Sequence, residues 1–139
     1  MNKFIWTEEY SLGVKVIDDQ HKHFFEIVNR IYDLLEKKDS NREEIVNIID
    51  ELTEYALFHL GTEEKYFNQF AYSDQANHMK YHNAFRVKSG EYSDRIKDPK
   101  ENTNELAAEI TDFAKDWLMH HILVADKMYA PFFQAHGLN

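Results

Sequence analysis

Two pairs of candidate metal ligands stand four residues apart in this chain, His59 with Glu63 and His78 with His82. On an α-helix that spacing puts both side chains on one face, about 5–6 Å apart, so each pair can reach a common centre. His21, His121 and Asp126 extend the set to five imidazoles and two carboxylates. A buried neutral imidazole needs partners for both ring nitrogens, and an ionised carboxylate in an apolar interior is costly without a cation beside it. The set exceeds the four ligands of one tetrahedral zinc. It suits two first-row metals of higher coordination number bridged by carboxylates, and a dinuclear iron site is the natural reading.

The elements that must position these groups follow from apolar periodicity. Asp18 is expected to cap a first helix whose inward face runs His21, Phe24, Phe25, Val28, Ile31, Tyr32, Leu35. Ser40 with Glu43 has the pattern of a capping box, followed by the stripe Ile45, Ile49, Leu52, Ala56, His59, Glu63, Phe67. Gly61 inside that helix reads either as a point of close helix approach or as a tolerated weak position. Beyond a turn near Ala71-Tyr72-Ser73, a third stripe reads His78, His82, Phe85, Ser89, Tyr92, Ile96, and the loop Asp98-Pro99-Lys100-Glu101-Asn102 ends it. A fourth helix faces inward with Leu106, Ile110, Phe113, Ala114, Trp117, Leu118, His121 and Val124, and Met128–Phe133 leads to a short tail.

The fold expected is all-α: an up-down-up-down four-helix bundle with an N-terminal extended arm. One domain spans 1–139, with 1–17 as the arm and 18–139 as the bundle and short tail. In that topology the starts of odd helices and the ends of even helices share one end of the bundle. All seven candidate ligands therefore converge there.

His121 and Asp126 are the irregular pair, because five residues of α-helix turn a side chain by about 140°. A π-type bulge or a loosened helix end brings them together. His120 competes with His121, and periodicity alone does not separate them; one extra residue in a bulge favours His121. His23 points off the first stripe and His136 lies in the tail, so both read as solvated histidines.

Composition narrows the function classes. With 25 acidic against 16 basic residues the formal charge is −9, and no basic run is present, which argues against nucleic-acid or anionic-membrane binding. Acidic residues follow too soon after Met1 for a secretory signal, and no stretch nears the roughly 18 apolar residues of a membrane span, so the expected compartment is cytoplasmic. The absence of cysteine removes disulfides, thiolate sites and iron–sulfur ligation.

The chain resembles the hemerythrin family, especially its single-domain bacterial members, over nearly its whole length. The resemblance rests on Trp6, Ile17-Asp18-Asp19-Gln20-His21, His59 with Glu63-Glu64, His78 with His82, and Trp117 followed by His121, Ile122, Asp126, Lys127 and Tyr129. It implies two non-haem irons joined by an oxo or hydroxo bridge. His78, His82 and His121 would hold one, His21 and His59 the other, with Glu63 and Asp126 bridging. The second iron then has an open position, which the family uses to bind dioxygen reversibly for transport, storage or delivery, and where small anions bind the diferric form. Phe24, Leu60, Trp117, Leu118 and Ile122 would form an apolar oxygen pocket. Leu60, Phe24 and Ser73 depart from frequent family residues, which bears on oxygen affinity and autoxidation. The expectation is a non-enzymatic oxygen binder with an oxygen-consuming partner protein. The rivals are a di-iron oxidase, a peroxidase or nitric-oxide-handling enzyme, and a sensor acting through a separate partner. The Glu-x-x-His pairs common in ferritin-like oxidases are missing, which disfavours the enzymes.

Overall fold

The structure, a computed structural model, describes residues 3–37 and 39–139; Met1, Asn2 and Lys38 lie outside it, and with them the first two positions of the expected arm and the middle of the polar stretch 37–39. Among the described residues the long elements are four helices: α1 (Lys15–Glu36), α2 (Arg42–Phe70), α3 (Gln75–Ile96) and α4 (Thr103–His121). A π-helical segment, Ile122–Asp126, runs directly from α4 into a further helix, α5 (Lys127–Ala135). The stretch Met128–Phe133, expected to lead to a short tail, is thus helical. Each long helix buries its apolar stripe, and the stripes merge into one core that includes Ile17, Ile31, Ile45, Leu52, Phe67, Phe85, Ile110 and Leu118. Among the described residues, no helix is long and apolar enough to cross a membrane.

The helices pack in sequence around the bundle, α1 on α2, α2 on α3, α3 on α4 and α4 on α1, and α2 also meets α4 across it. At the end away from the histidines, the Arg42 guanidinium donates to the carbonyls of Ile96 (3.4 Å) and Lys97 (2.9 Å), so the start of α2 satisfies acceptors left open at the end of α3. Tyr32 donates to Asp112 at 2.5 Å and ties α1 to α4.

Two expected boundary features differ. Helix α1 begins at Lys15, so Asp18 lies inside its first turn and does not cap it. The Asp18 carboxylate instead accepts from the Ser11 hydroxyl (2.7 Å) and the Leu12 amide (2.8 Å), clasping the arm to the bundle. The cap of α2 is Asn41, whose side chain accepts from the Glu44 amide at 2.9 Å, one residue later than the Ser40 box; Ser40 donates to the Leu34 carbonyl at 2.7 Å. A Cβ on Gly61 would meet nothing within 4 Å, so this glycine serves no close approach and is the tolerated weak position.

From Lys3 to Val14 the arm is extended apart from a 3-10 turn, Glu8–Tyr10, and lies over the histidine end of the bundle, while its expected last residues, 15–17, belong to α1. Phe4 stacks on Phe25, and Tyr10, Leu12 and Val14 are buried. Gly13 has φ +69°, and a Cβ there would fall 2.6 Å from the Gln134 amide, which donates to the carbonyls of Leu12 and Gly13. Only glycine supplies both that conformation and that approach. Helix α5 and the arm therefore close over the π segment together. Asp18→Ala is expected to cost about 2 kcal/mol of stability, since it leaves two donors to a charged acceptor unpaired. Denaturant unfolding checks this, and an unchanged midpoint would mean that the clasp carries no stability.

Candidate metal centre

Four buried helix ends build the site. His21 comes from the second turn of α1, His59 and Glu63 from the C-terminal half of α2, His78 and His82 from the first eight residues of α3, and His121 is the last residue of α4. Asp126 ends the π segment, whose wider turn restores to one face two residues that an α-helix would separate. The same segment turns Val124 outward, half exposed, where an unbroken stripe would have buried it. All seven side chains are at most 4% exposed.

The donor atoms sort into two groups, each with its atoms within 4.8 Å of one another: Glu63, His78, His82 and His121 in one, and His21, His59, Glu63 and Asp126 in the other. Glu63 belongs to both. Its Oε1 lies 3.0 Å from His82 Nε2 and 3.7 Å from His59 Nε2. Asp126 divides its two oxygens, with Oδ1 at 3.1 Å from His78 Nε2 and 3.0 Å from His121 Nε2, and Oδ2 at 3.3 Å from His21 Nε2. The imidazole Nε2 atoms face each other at 3.0 Å in two pairs, His21 with His59 and His121 with His78.

This arrangement fits metal better than it satisfies itself. Among the described residues, Glu63 Oε1, His82 Nε2 and both Asp126 carboxylate oxygens are buried without a hydrogen-bond partner of good geometry. Orphaned groups of this kind are costly in an apolar interior, and four of them converging on two points are what a pair of cations would neutralise. The donors are nitrogen and oxygen only, the set that suits iron, zinc or manganese.

Side chains behind the cluster fix its tautomers. His82 Nδ1 lies 2.7 Å from Glu64 Oε2, and Glu64 is in turn held by Arg86 at 2.8 Å. His59 Nδ1 lies 2.8 Å from Gln20 Oε1. Both contacts take the Nδ1 proton and leave Nε2 directed at the site. Tyr129, fully buried, donates to Glu63 Oε2. Gln20, Glu64 and Tyr129 sit among the residues of the family resemblance, but their partners lie on other helices and no spacing signal reveals them; Arg86 carried no signal at all.

Burial opposes charge on His82, yet its bonds to Glu63 and Glu64 outweigh burial and push its pKa up to about 9. For Glu64 burial acts upward, but His82 and Arg86 pull it down to about 2. Burial holds His59 down to about 4, so it is neutral at pH 7. Burial, with Asp126 and Glu63 adding to it, holds the Tyr129 phenol well above its ordinary range. A metal entering the cluster must displace the His82 proton, which is bound below about pH 9. Titration of the metal-free protein with Zn²⁺ at pH 7 in an indicator buffer is therefore expected to release protons, with binding tightening as the pH rises towards 9. Binding with no proton release and no pH dependence would contradict the arrangement.

The expected pocket residues divide. Phe24, Leu60, Leu118 and Ile122 are fully buried, at most 2% exposed, within one turn of His21, His59 and His121. Trp117 is half-buried and stacks on the His121 ring at 4.3 Å and 15°, on the three-histidine side. There it lines a surface hollow of about 90 Å³ with Tyr81, His120 and Val124. His120 is exposed at the rim of that hollow, away from both donor groups. His23 and His136 are likewise exposed.

The family model for the hemerythrin HHE cation binding domain matches residues 12–133, the stretch that contains every donor just described. The chain belongs to the hemerythrin family. It is 34% identical to a bacteriohemerythrin of Clostridium acetobutylicum over 128 residues, 91% of this chain and 98% of that one. It is also 34% identical to a bacteriohemerythrin of Methylococcus capsulatus over 131 residues, 94% of this chain and 96% of the relative. Among solved structures, a wild-type hemerythrin crystal structure superposes with a TM-score of 0.81 at 30% identity, covering 94% of this chain and 97% of that one. As a hemerythrin domain, the chain is a four-helix bundle of a metal- and oxygen-binding family, with its histidine and carboxylate clusters at one end of the bundle.

Proposed function

We propose that the protein binds dioxygen reversibly at a non-haem di-iron centre, for oxygen transport, storage or delivery in the cytoplasm. The observation that carries this reading is the asymmetry of the two donor groups around shared carboxylates: three imidazoles on one side, two on the other. His78, His82 and His121 would hold one iron and His21 and His59 the other, with Glu63 and Asp126 spanning both. The side with fewer nitrogens keeps the open position. Two ferrous ions in this site would supply the electrons that dioxygen accepts on binding.

The chain's own residues favour release of oxygen over its consumption. Besides the seven cluster side chains, the buried charged and non-aromatic polar residues among those described are Asp18, Ser89 and Thr111. Asp18 is engaged by Ser11 and Leu12, and Thr111 donates to the Ala107 carbonyl at 2.7 Å. Tyr129 is the one hydroxyl directly on a bridging carboxylate, and its proton is firmly held. A site without an available acid does not readily drive bound oxygen out as peroxide. Phe24, Leu60, Leu118 and Ile122, buried within one turn of His21, His59 and His121, surround the cluster with apolar side chains that disfavour water. Small anions of the size of azide would enter the same position in the diferric form.

The test is to mix anaerobically reduced, iron-loaded protein with a limited amount of oxygen, purge with argon, and assay both the oxygen recovered and any peroxide formed. Recovery of the reduced state over repeated cycles is expected. Continuous oxygen consumption with peroxide or an oxidised substrate accumulating would establish an enzyme instead.

A further inference from the structure

The two donor groups differ in what stands behind them. His82 Nδ1 meets a carboxylate, Glu64, which is itself paired with Arg86. His59 Nδ1 meets a neutral amide, Gln20. The orientation of that amide follows from a chain of hydrogen bonds. The Thr62 hydroxyl donates to the Phe58 carbonyl at 3.1 Å, so its proton is committed, and it faces Gln20 Nε2 at 3.2 Å as an acceptor. The amide NH₂ therefore turns to Thr62 and the amide oxygen to His59. His59 must then carry its proton on Nδ1 and present a bare Nε2 to the site. The neighbouring ring agrees. His21 Nε2 lies 3.0 Å from His59 Nε2 and 3.3 Å from Asp126 Oδ2 and is left to donate, and His21 Nδ1, which carries no proton in that tautomer, has no donor facing it.

A carboxylate accepting from Nδ1–H draws the proton towards itself and makes the opposite nitrogen a stronger donor, whereas a neutral amide does so far less. We propose that Gln20, locked by Thr62, is a positioning residue that fixes the His59 tautomer and keeps His59 a weaker electron donor than His82. The metal on the side of His21 and His59 is thereby easier to hold reduced, which lengthens the life of the oxygen-binding state. This inference rests on the di-iron reading above, but its first half, the tautomer, does not.

Two readouts separate the halves. In the metal-free protein, ¹⁵N NMR of the histidine side chains should show His59 protonated at Nδ1. Gln20→Leu and Thr62→Val should each lose that uniform tautomer, and Thr62→Ser should keep it. A His59 protonated at Nε2 in the wild type, or unmoved by both variants, overturns the proposal whatever the metal content. In the iron-loaded protein, Gln20→Glu is expected to keep the wild-type iron content while autoxidation speeds up roughly tenfold, within the range such partners command. The midpoint potential of the same variant is expected to lie below that of the wild type. Glu64→Gln is expected to move the potential the opposite way. Unchanged potentials in both iron-loaded variants overturn the electronic half, whereas a wild-type protein that takes up no iron pair sinks the di-iron reading and leaves the tautomer result standing.

Discussion

Replacing Glu63 by Ala is expected to strip both irons at once, with a loss of affinity greater than the roughly 10–100-fold that a residue behind a ligand commands. Glu63 Oε1 lies within 4.0 Å of His59, His78 and His82, so one truncation removes a donor from both groups. Asp126→Ala should behave likewise, because its two oxygens face His78 and His121 on one side and His21 on the other. Loss of metal at both positions from a single carboxylate distinguishes a bridged pair from two independent sites. Removing one member of a buried charged cluster also costs stability, since Glu63→Ala leaves His82 and the Tyr129 hydroxyl short of a partner, so helix content is measured beside the metal. His120→Ala, outside both groups, should leave iron content near normal. Metal analysis after anaerobic reconstitution is the measurement. A Glu63→Ala protein that keeps one full iron would show that the two groups do not share this ligand.

The second large effect is expected at Leu118, which is 1% exposed and one turn before His121. Leu118→Asp would set an ionisable group in a wall that offers none, supplying either a proton or a path for water. General acids typically contribute 10²–10⁴-fold, so autoxidation to the diferric state should speed up by about a hundredfold. Leu118→Met, similar in volume and without a proton to give, should remain close to the wild type. Iron content separates the interpretations. If Leu118→Asp keeps its iron and autoxidises at the wild-type rate, the open position faces another wall and the pocket is misplaced.

Much of this arrangement is written in periodicity. The stripes of the four helices and the convergence of their ends follow from apolar spacing and loop positions, and the five-residue gap between His121 and Asp126 calls for a π turn or a loosened helix end, of which the chain forms the π turn. Where expectation and structure part, the reason is a contact from beyond the local segment. Asp18 has the residue type of a helix cap, but the arm folds back and offers it Ser11 and Leu12. Ser40 and Glu43 match a capping box, yet Asn41 one residue on closes a better bond to Glu44. Val124 continues the stripe of α4 on paper, and the π segment rotates it into solvent. Trp117 follows the inward period and packs on Phe85 and His121, yet it stays half-buried because it also lines a surface hollow. The links from Gln20 to His59, Arg86 to Glu64 and Tyr129 to Glu63 join residues 22 or more positions apart, and only the packed helices bring them together.

One measurement bears on the central claim more directly than any variant: iron and oxygen counted on the same sample. Protein reconstituted anaerobically with Fe²⁺ and titrated with oxygen should take up one dioxygen for every two irons, with a single saturating phase, and should give that oxygen back when the gas is removed. Uptake at one oxygen per iron, a stable content of one iron per chain, or oxygen that never returns would contradict a shared di-iron centre with a single open position.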